Sequence, residues 1–276
     1  MKNKILLFLT IILINQLAYA KPHIVVSITP IASLVSMLTK GAANVVVLDS
    51  ASGCPHHHQA KPSDKSTIES AQMVIYIDDD FDGLVPSMLR DYNGKKVKIS
   101  NFSALNFKGM DGKINWHFWL DLNNVLFLQK QMAAILIRTF PEIKNEVEKN
   151  LLDSIDKINT LAQIKQMKLA RIQPVAILSD SLEHFFRGVN TDQLRIFQTS
   201  NISLKNMKKL DQVLDSNEVR CIILADDQDV NPYRKYNKII IELSSENWAV
   251  SNNSGDLSKL FVSEYNKMIY RMMECK

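Results

Sequence analysis

Between Pro141 and about Lys168 the chain carries neither glycine nor a further proline, and its apolar residues recur at helical spacing. Ile143, Val147, Leu151, Ile155, Ile158, Leu161 and Ile164 follow one another at intervals of three and four. This marks one face of an amphipathic helix. A single helix of about 28 residues would span roughly 42 Å, longer than most small domains need and suited to a spine between two bodies. Two ordinary helices with a break would give the same periodicity. A second helical pattern, Asn123 to Phe140, stands immediately before it.

On either side of this helical middle the pattern changes. In the first half, short β-branched runs at Ile24–Ile28, Val45–Leu48, Met73–Ile77 and Val97–Ile99 alternate with helical stretches at Lys65–Ala71 and Leu84–Leu89. Pro30 can occupy the first turn of a helix, where its missing N–H costs nothing. In the second half, strand candidates at Val175–Leu178, Cys221–Ala225 and Ile239–Ile241 are spaced by helical stretches at Leu204–Leu214 and Leu257–Met273. Strands separated by helices imply βαβ units and largely parallel sheets. The expected fold is α/β, with a first lobe over residues 21–120, a helical linker over 121–170 and a second lobe over 171–276.

The N-terminus reads as an export signal. Lys2 and Lys4 precede the apolar run Ile5–Ile14, and Ala18-Tyr19-Ala20 offers small residues for cleavage before Lys21. The run is well short of the ~20 residues that span a bilayer. The expectation is a periplasmic protein beginning at Lys21. Removing residues 1–20 lowers the formal net charge from +4 to +2. That is too weak to argue for nucleic acid or an anionic membrane surface. Oxidising surroundings permit one disulfide among Cys54, Cys221 and Cys275. Joining the last two would staple the C-terminus to a core strand, for roughly 2–4 kcal/mol in the chain-entropy model.

Two segments could carry chemistry. Cys54-Pro55-His56-His57-His58 holds three of the six histidines, and His117 lies among aromatic residues in Trp116-His117-Phe118-Trp119-Leu120-Asp121. Neutral imidazole is a preferred zinc ligand. In an extended segment adjacent histidines point in alternate directions, so one or two of the three would converge. Asp121 is a candidate supporting partner for His117. There is no His-Glu-x-x-His and no glycine-rich phosphate loop, so a binding protein is expected rather than an enzyme.

These segments resemble the zinc and manganese substrate-binding proteins of ABC transporters, the ZnuA/TroA-like family. His56 stands six residues before the proline of Pro62-Ser63-Asp64, as the first metal-binding histidine does there. The run His117-Phe118-Trp119-Leu120-Asp121 is similar to the second motif. The resemblance implies two α/β lobes joined by a rigid helix, Zn²⁺ as the cargo held between them, and a membrane permease as partner. Monomer is the default for the class. It also implies the Cys221–Cys275 disulfide and, as metal ligands, His56 and His117.

The family's third histidine falls at Ser179, a poor zinc ligand. His58 is the first candidate to replace it, followed by Cys54 and then His184. Asp226, after the Cys221 strand, is the candidate carboxylate ligand. The family's long histidine- and acid-rich loop is replaced by the short connection Lys108–Lys113, so auxiliary weak sites are not expected.

Overall fold

The computed structural model describes residues 20–49, 62–83, 85–190, 192, 194–197, 204–248 and 256–276. Residues 1–19 of the expected export signal, Cys54, His56, His57 and His58 lie outside these residues. Two four-stranded parallel sheets are present. The first contains β1 (His23–Ile28), β2 (Asn44–Asp49), β3 (Met73–Tyr76) and β4 (Lys95–Lys98), in the order β2-β1-β3-β4. The second contains β5 (Val175–Ile177), β6 (Leu194–Ile196), β7 (Cys221–Ala225) and β8 (Ile239–Leu243), in the order β6-β5-β7-β8. The two halves therefore share one topology, and the α/β expectation holds.

The inner strands β3, β5 and β7 read as continuous apolar runs because helices cover both faces of each sheet, as parallel sheets require. Along β1 the faces alternate. Ile24, Val26 and Ile28 point into the main core, whereas Val25 joins Val74, Ile68 and Leu89 on the outer side. In the second sheet Ile177 and Ile223 face the same main core, while Ala176, Ile222 and Leu224 pack outward against Leu210 and Leu214. The main core is one contiguous cluster that runs through both halves.

Two helices lie between the sheets in sequence. Helix α4 (Leu122–Thr139) follows α1 (Thr29–Thr39), α2 (Pro62–Ser70) and α3 (Val85–Met88). The Pro-free stretch is a single helix, α5 (Lys144–Leu169), 26 residues long and entered through the 3-10 turn Pro141–Ile143. That resolves the open choice between one helix and two. Helix α5 packs on α1, α4 and the C-terminal helix α7 (Leu257–Arg271), which follows α6 (Leu204–Asp215). It therefore touches elements of both halves. Near its end Lys165 is buried, donates to the carbonyl of Arg187 at 3.0 Å and lies over the Phe185 ring. Burial pushes its ammonium down to about 8.

The halves also meet through α1 and α7. The Ser33 hydroxyl donates to the Leu257 carbonyl at 2.7 Å and accepts from the Phe261 amide at 2.7 Å. Cys221 and Cys275 are joined, with Cα atoms 6.0 Å apart, which fastens the last turn to β7. Among the described residues no helix is long and apolar enough to cross a membrane.

One buried carboxylate lies in the turns after β3. Asp82 accepts from the amides of Ile77 at 2.6 Å and Asp78 at 2.8 Å, beside the Ser27 hydroxyl. Burial outweighs these donors and pushes its carboxyl up to about 6. Its folded value exceeds its unfolded one, so Asp82 favours folding below about pH 4, and that advantage is lost as pH rises through 6. Asp82→Asn keeps an oxygen for both amides and removes the charge. In urea melts of metal-free protein it is expected to match wild type near pH 4. Near pH 7 it should exceed wild type by up to about 3 kcal/mol, the value of two pKa units. A variant less stable than wild type at both pH values would show that the charge is not the dominant cost.

Candidate metal centre

In open parallel sheets, ligands collect outside the carboxyl ends of the strands, near the point where strand order reverses. Here that point falls between β1 and β3 in one sheet and between β5 and β7 in the other. Ser179 follows β5, Asp226 follows β7, and Ser244-Ser245-Glu246 follows β8.

His117 is held in place by its neighbours. Phe118, Trp119 and Leu120 form a 3-10 turn and are fully buried, so the segment cannot shift without opening the core. The Trp119 indole N–H donates to the Ser245 carbonyl at 2.9 Å, and the Tyr265 hydroxyl donates to the Leu120 carbonyl at 2.8 Å. Both bonds cross between the halves. The His117 ring packs against Trp119 and edge-on to Phe81, with centroids 5.1 and 6.1 Å away. These aromatic walls shield one side of the imidazole from water.

Both ring nitrogens have defined surroundings. Nδ1 lies 3.1 Å from Asn115 Oδ1, and Nε2 lies 3.2 Å from Glu246 Oε2. The histidine side chain is 13% exposed and the glutamate 7%. Two ligands each 2.0–2.1 Å from one tetrahedral zinc stand about 3.3 Å apart. The observed separation fits a pair able to share one such ion. It equally fits a direct hydrogen bond, and in either case the two groups face each other from opposite halves.

The supporting partner of His117 is Asn115, not Asp121. Asp121 instead caps α4, accepting from the Asn123 amide at 3.0 Å, with the Arg187 Nε 3.9 Å away. A capping carboxylate at a helix N-terminus is occupied by the backbone it stabilises.

Asp226 does not meet His117 in this structure. It is exposed, lies 3.4 Å from Asn247 Nδ2, and lines a separate cavity of about 520 Å³ with Ser244 and Lys267. The carboxylate facing His117 is Glu246, which the sequence reading overlooked. The reason lies in the sheet. Ala225 pairs with Leu243, so the ends of β7 and β8 are neighbours. Asp226 and Glu246 follow these two adjacent strands, and Glu246 is the one that lies against His117.

Ser179 is buried, and its hydroxyl lies 2.8 Å from that of Ser181. His184 cannot replace it as a ligand. Its Nδ1 accepts from Arg187 Nε at 3.1 Å, which leaves Nε2 protonated and donating to the Asn115 carbonyl at 3.1 Å. Burial and the Arg187 charge push its imidazole down to about 4, so it stays neutral with both nitrogens engaged. His23 lies at the start of β1, the opposite end of the sheet from the crevice. Among the described residues no cluster of three or more candidate metal ligands occurs. A metal site built on His117 and Glu246 would need groups from outside those residues.

The short connection Lys108–Lys113 is pinned to the second half. Its Met110 amide donates to Glu183 Oε2 at 2.8 Å, and Arg187 donates to the Lys108 carbonyl. A Cβ at Gly109 would push against the Glu183 carboxylate, the acceptor of the Met110 amide.

Comparison with known proteins bears on the fold and the family. An uncharacterized protein of Rickettsia prowazekii (strain Madrid E) is 38% identical over 272 residues, covering 98% of this chain and 88% of its own. The structure of the periplasmic zinc-binding protein TroA from Treponema pallidum superposes with a TM-score of 0.75 at 18% identity. That match covers 93% of this chain and 99% of TroA. Fe(III)-bound YtgA from Chlamydia trachomatis superposes with a TM-score of 0.74 at 18% identity, covering 92% and 97%. The family model described as ZnuA, zinc-uptake complex component A, periplasmic, matches residues 24–268. A match over nearly the whole chain, on two parallel sheets bridged by a long helix, shows that this chain belongs to the ZnuA family.

Proposed function

We propose that this chain is the periplasmic binding component of an ABC-type metal uptake system. In this reading it captures Zn²⁺ between its lobes and delivers it to a membrane permease. The observation that carries the reading is the 3.2 Å approach of His117 Nε2 to Glu246 Oε2. It joins a nitrogen ligand from one lobe and an oxygen ligand from the other, where zinc-type spacing would place them. His56, and His58 as the substitute for Ser179's missing imidazole, would complete the coordination from the connection after β2. The family description and the zinc-binding relative support zinc as cargo. The iron-bound relative supports a second reading in which a harder cation is carried on the same scaffold. Cleavage after Ala20 would accompany export.

A competition titration of metal-stripped protein, from Lys21 onward, against a chromophoric chelator tests this. About one tight Zn²⁺ per chain is expected, with Mn²⁺ weaker, since a nitrogen-rich site disfavours manganese. Glu246→Gln is expected to weaken zinc by at least the ~10–100-fold typical of a supporting residue. Asp226→Asn should leave the affinity unchanged. Zinc binding insensitive to Glu246→Gln would overturn the ligand set. Tight manganese with weak zinc would replace the cargo and keep the transport role.

A further inference from the structure

A cavity of about 470 Å³ lies where the start of α4 and the end of α5 meet the turn 187–190 of the second lobe. That volume suits a small organic molecule. Leu122, Leu169 and Val189 bring apolar surface to it, and Asn123 and Asn190 bring amide groups. Three ionisable side chains complete the lining. Lys165 and Arg187 are cationic and Asp121 is anionic, which leaves a formal excess of one positive charge.

That excess is not neutralised by the protein. Lys165 is 7% exposed and forms no ion pair among the described residues, with Asp121 acting on it only through space. Of its three N–H donors one is used, on the Arg187 carbonyl at 3.0 Å. The Phe185 ring covers one side of the ammonium, 5.2 Å away. Arg187 uses Nε on His184 and an Nη2 hydrogen on the Lys108 carbonyl. The Asp121 carboxylate stands 3.9 Å from that Nε and is engaged in capping α4. A buried charge without a contacting counter-ion is costly, and the lowered proton affinity of Lys165 registers that cost. An anion seated in the cavity would remove it and take up the idle donors. One excess charge matches a singly charged anion better than a multiply charged one. The apolar walls match a short hydrocarbon tail, which an inorganic ion lacks.

We propose that this cavity is a binding site for a small monocarboxylate, its head group held by Lys165 and Arg187 and its tail set against Leu122, Leu169 and Val189. Neither His117 nor Glu246 lines the cavity, so its occupancy and zinc binding can be measured apart. An occupant would touch both linker helices and the second lobe at once.

Butyrate is the probe, added to metal-free protein from Lys21 onward at pH 7 and constant ionic strength. Calorimetry is expected to give about one butyrate per chain, and the urea midpoint should rise with the logarithm of butyrate concentration. Butyramide has nearly the same shape without the charge and should bind at least roughly tenfold more weakly. Lys165→Met keeps most of the side-chain volume and removes the charge. It is expected to weaken butyrate by roughly 10–100-fold, the value of a charged hydrogen bond. Ala162→Phe fills the cavity from the partly exposed side of α5 and should abolish the response, which locates the site even if Lys165→Met fails to fold. A midpoint indifferent to butyrate would overturn the proposal, as would butyramide binding as tightly as butyrate. Phosphate binding more tightly than butyrate would overturn the carboxylate class. Full butyrate affinity in folded Lys165→Met or Ala162→Phe would overturn the location.

Discussion

Metal-stripped protein carrying His117→Ala is expected to bind Zn²⁺ more than about a hundredfold more weakly than wild type. Removing a direct ligand should cost more than the ~10–100-fold attached to supporting residues. Three consequences coincide at this position. The substitution deletes the nitrogen 3.2 Å from Glu246, leaves that 7% exposed carboxylate without its imidazole partner, and opens space between Phe81 and Trp119. The fold should survive, because the anchoring of the segment comes from Phe118, Trp119 and Leu120 rather than from the imidazole. Competition titration gives the affinity, and a thermal melt without metal separates lost binding from lost structure. Unchanged zinc affinity in a folded His117→Ala variant would remove the basis for the inter-lobe site.

Breaking the disulfide is expected to have the largest effect on stability. The Cys221–Cys275 link closes a loop of sequence separation 54. In the chain-entropy model a loop of that size restricts the unfolded chain by about 4 kcal/mol. Cys275→Ser should lower the unfolding free energy in urea by about 2–4 kcal/mol, the lower figure allowing for residual structure in the unfolded chain. Both sulfurs lie in the core, and the Cys275 carbonyl accepts from the Gln173 amide at 3.1 Å. The loss should therefore include fraying of the final turn, Met272–Cys275. Under strong reductant wild type should fall to the level of the variant. A midpoint unaffected by either treatment would mean that packing alone holds the C-terminus.

Much of this fold could be read from residue patterns because periodicity reports burial directly. The run from Ile143 to Ile164 was legible as a helix since its apolar face is continuous. The strands were legible because both faces of each sheet are covered. Strand β6 was not, since three residues with an arginine at the centre carry no pattern that distinguishes them from a loop. His117 stood out through its aromatic neighbours. Glu246 did not, because a carboxylate in the polar turn Ser244-Ser245-Glu246-Asn247 resembles any solvated turn until β8 is placed beside β7. Residue type suggested His184 as a ligand, and only three-dimensional partners reveal that both its nitrogens are occupied. Asn115 was likewise invisible. Its importance comes from Asp180 and His184, which are 65 and 69 residues away in sequence.

The contiguous core bears on how cargo would be released. A molecule whose two halves share one apolar interior, clamped by α5 and by the α1–α7 contact, cannot swing open like a pair of jaws without exposing that interior to water. Large apolar interfaces of this kind resist relative motion. In the proposed transport role the work of unloading would fall on the rim, on turns such as the one that carries Glu246, where a carboxylate could be drawn aside while the interior stays dry. A docking permease would act less as a lever between the halves than as a key in a lock, and small-angle scattering should record almost the same radius of gyration for the loaded and the empty protein.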